Sequence, residues 1–522
     1  MSNNQKEGKE MDKILTALQM KTYDNYTINK IGIPSMVLME KAALSVLDEI
    51  KKYIVDTNLK PETSKILILC GTGNNGGDGL ALARLLYDCG FSPDIVLLGD
   101  KEKLSTECEK QFSILRQIGL SIRAEIEKIE YDIIVDALLG IGLHRKVEGL
   151  YYKTIQEVNK SNAYKIAIDI PTGLDTDSGE ILGIGFMAHL TVTFGYYKRG
   201  LFLGEGPKYC GKIVLKDIGI TKIDLEPKEQ RVYAYTKGIK GILPYRNPSG
   251  NKGSFGKIFI YAGGEKTFGA ALLCVKSAFS AGAGMVKVFC PKEYRQLFLE
   301  QIPEAMLTCY EPGESKDCIK KKIIADLDWA DALIAGPGIG KDEFSCFVLQ
   351  ILMKYAKVPM VLDADALNIL STKPEWIEDL LRLNEQYHRT VIMTPHLGEM
   401  ARLLHVSVDE IKESPFEKAR ELSQKYDCIA VCKDARTIIC YKDEAMYLNL
   451  SGNHGMATAG SGDVLSGILG AYIGSCEDYF KYTQVGAYLH GLAGDEAAKE
   501  IGERAVMASH IIDGMIKLQK GN

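Results

Sequence analysis

Gly73-Asn74-Asn75-Gly76-Gly77-Asp78-Gly79 follows the apolar run Ile66-Leu67-Ile68-Leu69-Cys70 and precedes Leu80, Ala83, Leu85 and Leu86 at helical spacing. The succession of strand, glycine-rich turn and helix is one βα unit, with the helix expected to begin near Asp78. Similar apolar strands recur at 94–98, 133–138 and 165–170 with helical patterns between them, the signature of a parallel sheet covered on both faces. Ahead of this unit a helix is expected over 35–50, with Ser35 as its N-cap. These elements predict a first, Rossmann-like three-layer α/β/α domain that ends near residue 220.

Residues 222–246 are charged and carry Pro227 and Pro244, so they are expected to form a linker and the entry to a second domain. The second domain again alternates strands and helices. Strands are expected at 257–261, 285–290, 332–335, 358–363, 390–394, 428–433 and 437–441. An Ala/Gly-rich helix is expected at 270–283, and two apolar helices after Gly462 and from Tyr482. The length of 522 residues accommodates two large domains, with boundaries expected at 1–225 and 235–522.

Composition narrows the function classes. Lys+Arg 63 against Asp+Glu 68 gives a formal charge of −5, so no global electrostatic case for nucleic acid arises. Thirteen cysteines lie singly, without a CxxC pair, which points away from zinc sites and disulfide frameworks and towards a reducing cytoplasm. The polar residues 1–10 and the lack of an 18-residue apolar run carry the expectation of neither secretion nor a membrane span.

Glycine clusters let backbone N–H groups approach an anion, and a helix N-terminus adds positive potential, though a tight turn without ligand would use the same residues. Asn74, Asn75 and Asp78 favour a ligand, because packing does not require three polar side chains there. Two further apolar strands end in acids followed by glycines: Val135-Asp136-Ala137-Leu138-Leu139-Gly140-Ile141-Gly142 and Ala167-Ile168-Asp169-Ile170-Pro171-Thr172-Gly173. Ligands of open α/β sheets bind at such strand ends, although a lone acid there could be only a helix cap. Together Asn75, Asp136 and Thr172 offer oxygen ligands for a hard cation, leaving Asp169 for acid/base work.

In the second domain Ala459-Gly460-Ser461-Gly462-Asp463 precedes an apolar helix, so the Ser461 and Gly462 N–H groups are expected to face an anion, with Asp463 as base or as helix cap. Gly263-Gly264, Gly336-Pro337-Gly338-Ile339-Gly340, Asp363-Ala364-Asp365-Ala366-Leu367-Asn368 and Thr394-Pro395-His396-Leu397-Gly398-Glu399 each follow a strand. His396 by itself suits either a ligand contact or a structural loop role.

GNNGGDG, DALLGIG and DIPTGLD, in this order, resemble the N-terminal epimerase half of the bifunctional NAD(P)H-hydrate repair enzymes over roughly residues 10–220. The loops ending in GSGD resemble the ribokinase-like superfamily. GPGIG, LDADALN and TPHLGEM resemble its NAD(P)H-hydrate dehydratase branch over roughly residues 240–518. The resemblance implies an isomerase that interconverts R and S hydrates of NADH and NADPH, and a lyase that dehydrates the S epimer with ADP, or alternatively ATP, and Mg²⁺.

For the first domain it implies a K⁺ site at Asn75, Asp136 and Thr172, catalysis by Asp169, and hydrate contacts from Asn74, Asn75, Gly76, Gly77, Asp78, Gly140, Ile141, Gly142, Leu143, His144, Arg145, Lys146 and Asp169. For the second it implies catalysis by Asp463 and hydrate contacts from Ala270, Gly338, His396 and Asp463. Nucleotide contacts fall on Lys433, Asp434, Ala435, Arg436, Thr437 and Gly462. Asp434 departs from the family's usual glycine after the lysine. The family also implies a cytoplasmic homo-oligomer. A kinase that keeps its product phosphorylated would share GSGD, and related N-terminal domains act as binding scaffolds, so these alternatives stand beside the enzyme reading.

Overall fold

The computed structural model describes residues 11–126, 130–239 and 241–520; the polar segment 1–10 lies outside them. Contacts divide the chain into a unit of Asp12–Pro227 and a unit made chiefly of the residues from Lys228 onward.

In the first unit a short parallel pair joins β1 (Met11–Leu15) to β8 (Tyr197–Lys198). Helices α1 (Ala17–Tyr26) and α2 (Ser35–Asp56) follow β1. The main sheet comprises β2 (Ile66–Cys70), β3 (Asp94–Leu97), β4 (Ile122–Arg123), β5 (Ile133–Ala137), β6 (Tyr164–Ile168), β7 (Leu190–Phe194) and β9 (Lys212–Lys216), in the order β4-β3-β2-β5-β6-β7-β9. Every one of its ladders is parallel.

Strand alternation explains the three layers. Ile66, Ile68 and Cys70 pack with Val46 and Ile50 of α2 and with Leu82 and Leu86 of the helix α3 (Asn74–Asp88). Leu67 and Leu69 of the same strand face Ile155 and Val158 on the other side. A strand buried on both faces reads as a continuous apolar run, which is why β2 was legible.

The second unit holds β10 (Val232–Tyr235), β11 (Lys257–Tyr261), β12 (Met285–Pro291), β13 (Met306–Tyr310), β14 (Ala332–Ala335), β15 (Met360–Leu362), β16 (Val391–Met393), β17 (Cys428–Cys432), β18 (Ile438–Cys440) and β19 (Met446–Leu448). Their order is β13-β12-β11-β14-β15-β16-β17-β18-β19-β10. The ladders from β13 to β17 are parallel; β18 runs antiparallel to both its neighbours. Helices α4 (Gly269–Ser280), α6 (Ser461–Ile473), α7 (Tyr479–Ile501) and α8 (Ala508–Gln519) supply much of one core, in which Cys274, Ile468, Leu489 and Ile511 are fully buried. Helix α5 (Leu397–Leu404) starts directly after the His396 turn. Among the described residues no helix is long and apolar enough to cross a membrane, and the thirteen cysteines are free thiols.

Four local expectations are corrected. Ser35 is the first residue inside α2, Pro34 holds the cap position, and the Ser35 hydroxyl instead donates to Glu107 at 2.8 Å. Helix α3 begins at Asn74, not near Asp78, so Gly76, Gly77 and Gly79 are helical. Close packing demands them: a Cβ on Gly76 would lie 1.8 Å from the Gly71 carbonyl oxygen, and one on Gly79 would lie 2.6 Å from the Ala137 Cβ. The stretch expected as linker contains β10, paired in parallel with β19. The helix expected from Tyr482 begins at Tyr479, because the Asp478 carboxylate caps it by accepting from the Lys481 N–H.

Candidate active sites

The C-terminal ends of β2, β5 and β6 and the N-terminus of α3 open onto a cleft of about 1280 Å³. Asn74, Asn75, Asp78, the whole loop from Gly140 to Lys146, and Asp169 line it, together with Asp24 of α1 and Lys198 of β8. Gly76 and Gly77 do not line it. Both are buried in α3, where Gly76 meets the Gly71 backbone and Gly77 meets the Met39 side chain, so close packing explains these two glycines.

Asp169 stands at the end of β6 with φ = 65°, a left-handed backbone rare for a residue with a side chain. Its Oδ1 accepts from the Thr193 hydroxyl at 3.1 Å, the Phe194 N–H at 3.2 Å, and the Lys198 ammonium. Lys198 is fully buried and also donates to the Thr193 hydroxyl and the Phe194 carbonyl, each at 2.9 Å. One carboxylate oxygen is therefore pinned by three donors, and Oδ2 takes none of these bonds. Two further carboxyls share the cleft. Burial, reinforced by the charges of Asp169 and Asp24, pushes the Asp78 carboxyl well above the usual range. Burial raises Asp24 to about 6, with Lys198 pulling it down and Asp169 pushing it up.

Asp136 and Thr172 meet directly beneath the loops. The Thr172 N–H donates to Asp136 Oδ2 at 2.7 Å and its hydroxyl to Oδ1 at 2.8 Å, while the Leu138 N–H donates to Oδ1 at 3.1 Å. Asn75 packs against Gly140 of the following loop, and its Nδ2 is buried without a partner. Asp136 is fully buried, and among the described residues no Lys or Arg pairs with it. Burial raises its carboxyl to about 6 against the pull of the Thr172 and Leu138 bonds. A buried carboxylate without counter-charge, among hydroxyl, amide and carbonyl groups, fits a hard cation. Among the described residues no group of three or more His, Cys, Asp or Glu side chains could hold a metal ion.

In the second unit the loops after β11 and β14 are latched together. The Thr267 hydroxyl donates to the Gly338 carbonyl at 2.7 Å, the Gly263 N–H donates to Pro337 O at 2.7 Å, and the Ala270 N–H returns to Thr267 O at 3.0 Å. Ala270 and Gly338 are thus held side by side through Thr267. Gly338 has φ = 61°, and a Cβ there would lie 2.9 Å from the Thr267 hydroxyl.

Asp363, at the end of β15, is 1% exposed. Its Oδ1 accepts from Lys433 Nζ at 2.8 Å and from the Ala364 N–H at 2.9 Å, and its Oδ2 accepts from the Ser466 hydroxyl of α6 at 2.8 Å. Ala364 carries φ = 50° and ψ = −114°. Such a conformation costs on the order of 1–3 kcal/mol and persists only where the surroundings enforce it. Lys433 also flanks Gly462: a Cβ on that glycine would lie 3.3 Å from Nζ.

Gly460 caps α6 with φ = 89°, and the Ser461 N–H turns back to Thr458 O at 3.3 Å. The expected anion-facing role of the Ser461 amide is corrected on that account; the amides of Gly462 and Asp463 are the next donors of the first turn. Burial raises the Asp463 carboxyl to about 6, with Asp363 pushing it further up and Lys433 pulling it down. His490 of α7 supports the turn from below through its Nε2, 3.0 Å from Ser461 O. Burial lowers its pKa to about 4, so the ring is neutral.

His396 is the N-cap of α5: its Nδ1 accepts from the Gly398 and Glu399 N–H groups at 3.0 and 3.3 Å, and Glu399 accepts from the His396 N–H at 3.0 Å. This is the structural loop role weighed from sequence; Nε2 lies 3.3 Å from Glu399 Oε1, and what is left for a ligand is the exposed part of the ring. Lys433, Asp434, Ala435, Arg436 and Thr437 form the turn between β17 and β18, with Arg436 donating to Leu450 O at 3.2 Å. Asp434 is absent from the non-glycine residues at positive φ, so the position imposes no left-handed backbone that would demand glycine.

Sequence reasoning missed Asp24, Lys198, Asp363, Ser466 and His490. Asp363 had the same signal as Asp136 and Asp169, an acid ending an apolar strand. Lys198 and Asp24 carried none, because they come from a two-residue strand and an amphipathic helix far away in sequence.

A family model described as NAD(P)H-hydrate dehydratase matches residues 258–517, and one described as YjeF-related protein N-terminus matches residues 35–200. The chain is 34% identical over 515 residues to the bifunctional NAD(P)H-hydrate repair enzyme Nnr of Moorella thermoacetica, covering 96% of this chain and 95% of the relative. It is 33% identical over 466 residues to the enzyme of the same name from Escherichia coli, covering 88% and 85%. A solved ADP/ATP-dependent NAD(P)H-hydrate dehydratase from Bacillus subtilis, co-crystallised with ATP/Mg²⁺, is 25% identical, with 53% of this chain and 94% of that chain covered at a TM-score of 0.45.

Proposed function

The chain belongs to the bifunctional NAD(P)H-hydrate repair enzymes, and on that premise we propose that its two units divide the work of epimerase and dehydratase. Residues 1–225 interconvert the R and S hydrates of NADH and NADPH. Residues 235–522 dehydrate the S epimer at the expense of ADP, which becomes AMP and phosphate; ATP is the alternative donor.

In the first unit the hydrate lies in the cleft against Asn74, Asn75, Asp78 and the loop from Gly140 to Lys146, with Arg145 and Lys146 on its phosphates. Asn75, Asp136 and Thr172 would hold K⁺, which when bound supplies the missing counter-charge for Asp136. Asp169 exchanges a proton at the C6 oxygen through Oδ2, while Lys198, Thr193 and the Phe194 amide fix Oδ1.

In the second unit Asp463 removes the C6 hydroxyl proton as that oxygen attacks the terminal phosphorus of the nucleotide and the bridging P–O bond breaks. Hydroxide is a poor leaving group and phosphate a good one. The N1 lone pair then expels phosphate from C6, and loss of a C5 proton restores the dihydropyridine. The Gly462 amide and the Lys433 ammonium face the charge that develops on the phosphoryl oxygens. Mg²⁺, as a companion of the nucleotide, supplies further charge neutralisation there. Ala270, Gly338 and the exposed edge of His396 contact the hydrate, and residues 433–437 contact the nucleotide.

The observation that carries this reading is Asp463 itself: a carboxyl raised to about 6 at the first turn of α6, beside an ammonium already committed to Asp363. The test combines purified S hydrate with ADP or ATP and follows both the returning absorbance of the reduced nicotinamide and phosphate release. Equal yields are expected. Turnover without nucleotide hydrolysis, or a product that stays phosphorylated, would overturn the coupling. A cytoplasmic homo-oligomer completes the proposal, and sedimentation analysis tests the assembly.

A further inference from the structure

Inversion at C6 needs proton transfer at two moments: one oxygen must leave as water, and another must enter from water on the opposite face. Asp169 supplies one exchanger. Its environment leaves one oxygen, Oδ2, for that exchange, because three donors hold Oδ1.

Asp24 lines the same cleft from α1, a different element from the β6 end that carries Asp169. Among the described residues its carboxyl makes no hydrogen bond and no ion pair, although it is close enough to feel the charges of both Lys198 and Asp169. The charged groups facing it are Lys198, Asp169 and Asp78, with Lys21 on its own helix also lining the cleft. An unpaired carboxyl beside a paired one is the arrangement in which two like groups take opposite protonation states.

Resting on the epimerase reading above, we infer that Asp24 is the second acid/base group of the epimerisation site, with Asp169 as its complement. The Asp24 carboxyl gives its proton to the C6 hydroxyl. The C6–O bond breaks with its electron pair on oxygen, water departs, and the N1 lone pair forms the N1=C6 double bond. A second water then attacks C6 from the other face. Its oxygen supplies the new C6–O pair, the N1=C6 π pair returns to N1, and Asp169 takes the proton. One water leaves and one enters, and solvent moves the proton from Asp169 back to Asp24. The reverse epimerisation exchanges the two roles. Each direction of turnover therefore needs one of the two carboxyls protonated and the other free to accept.

The test uses the full chain and a purified single epimer without nucleotide, so that only epimerisation is read, with the opposite epimer quantified by chromatography. Asp24→Asn is expected to lower kcat by ~100-fold or more, within the range for a general acid or base. KM should stay within about threefold, since the group acts in the transition state. The bell-shaped pH profile should collapse to one limb, and Asp24→Glu should recover activity and the second limb.

A kcat for Asp24→Asn within about threefold of the parent, or a loss with both limbs intact, would overturn the assignment while leaving the epimerase reading in place. If the parent chain itself fails to interconvert the epimers, the epimerase reading falls and the Asp24 role with it. Should Asp24→Asn not fold, Asp24→Glu alone decides: limbs at the parent's positions overturn the role, and a displaced limb supports it.

Discussion

Both candidate sites open at a helix that begins with a glycine-rich turn, yet the two turns are built for different reasons. In α3 the glycines at 76, 77 and 79 face inward, against the Gly71 backbone, Met39 and the Ala137 side chain, so they let the helix approach the sheet. At the start of α6, Gly460 caps the helix with φ = 89° and Gly462, in its first turn, clears space beside Lys433, so these glycines shape the mouth itself. The carboxyls differ in the same way. Asp169 is tied to its own buried lysine, whereas the lysine near Asp463 is already tied to Asp363. The same motif chemistry therefore yields a pinned acid/base group in one unit and an unpinned, burial-raised base in the other.

The strongest way to break this contrast is to neutralise each carboxyl. Asp463→Asn should reduce dehydration of the S hydrate by roughly 10³-fold or more, with epimerisation unchanged, as measured by absorbance recovery and by chromatography on one sample. Asp169→Asn should do the opposite, lowering epimerisation by about 100-fold or more and sparing dehydration of S. If either substitution impairs both reactions alike, the division of labour is wrong.

Gly76→Ala comes next. A methyl group 1.8 Å from a carbonyl oxygen cannot be accommodated without backbone movement, and about 3 kcal/mol of destabilisation is expected, at the upper end for overpacking. Thermal unfolding should show an early transition with loss of epimerase activity, while Gly73→Ala, with open space around it, should be mild. Equal effects at the two positions would return the glycines to a ligand-binding explanation.

A smaller effect follows from pH. Asp463 acts as a base and must be deprotonated, and its carboxyl is raised to about 6. Dehydration should therefore fall roughly tenfold per pH unit below that value and level off above it. In Asp363→Asn, which removes a neighbouring negative charge, the limb should move to lower pH. Least of all, Asp434→Gly should leave nucleotide KM within about twofold, because the backbone there needs no glycine. A large improvement would mean that the aspartate itself hinders the nucleotide.

Much of the fold was legible because the first sheet and the β13–β17 part of the second are parallel and buried, which turns strands such as Ile66–Cys70 and Lys257–Tyr261 into short apolar runs bounded by glycine. The motif residues at the strand ends were legible for the same reason, since acids and glycines interrupt such runs abruptly. Helix starts were less so. Asn74 and Tyr479 were missed by several residues or fewer because glycines inside a helix look like a loop, and because a capping aspartate one position earlier resembles any charged turn residue.

The sequence by itself determined the class of each unit, the family, and the carboxyls at the strand ends, because these depend on local periodicity and on which residue types stand next to each other. Only the tertiary structure decided what state those carboxyls are in. Lys198 reaches Asp169 from 29 residues away in the chain, and Lys433 reaches Asp363 from 70 residues away. Burial and the nearest charge set a carboxyl's proton affinity, and both are properties of the packed chain that no stretch of sequence contains.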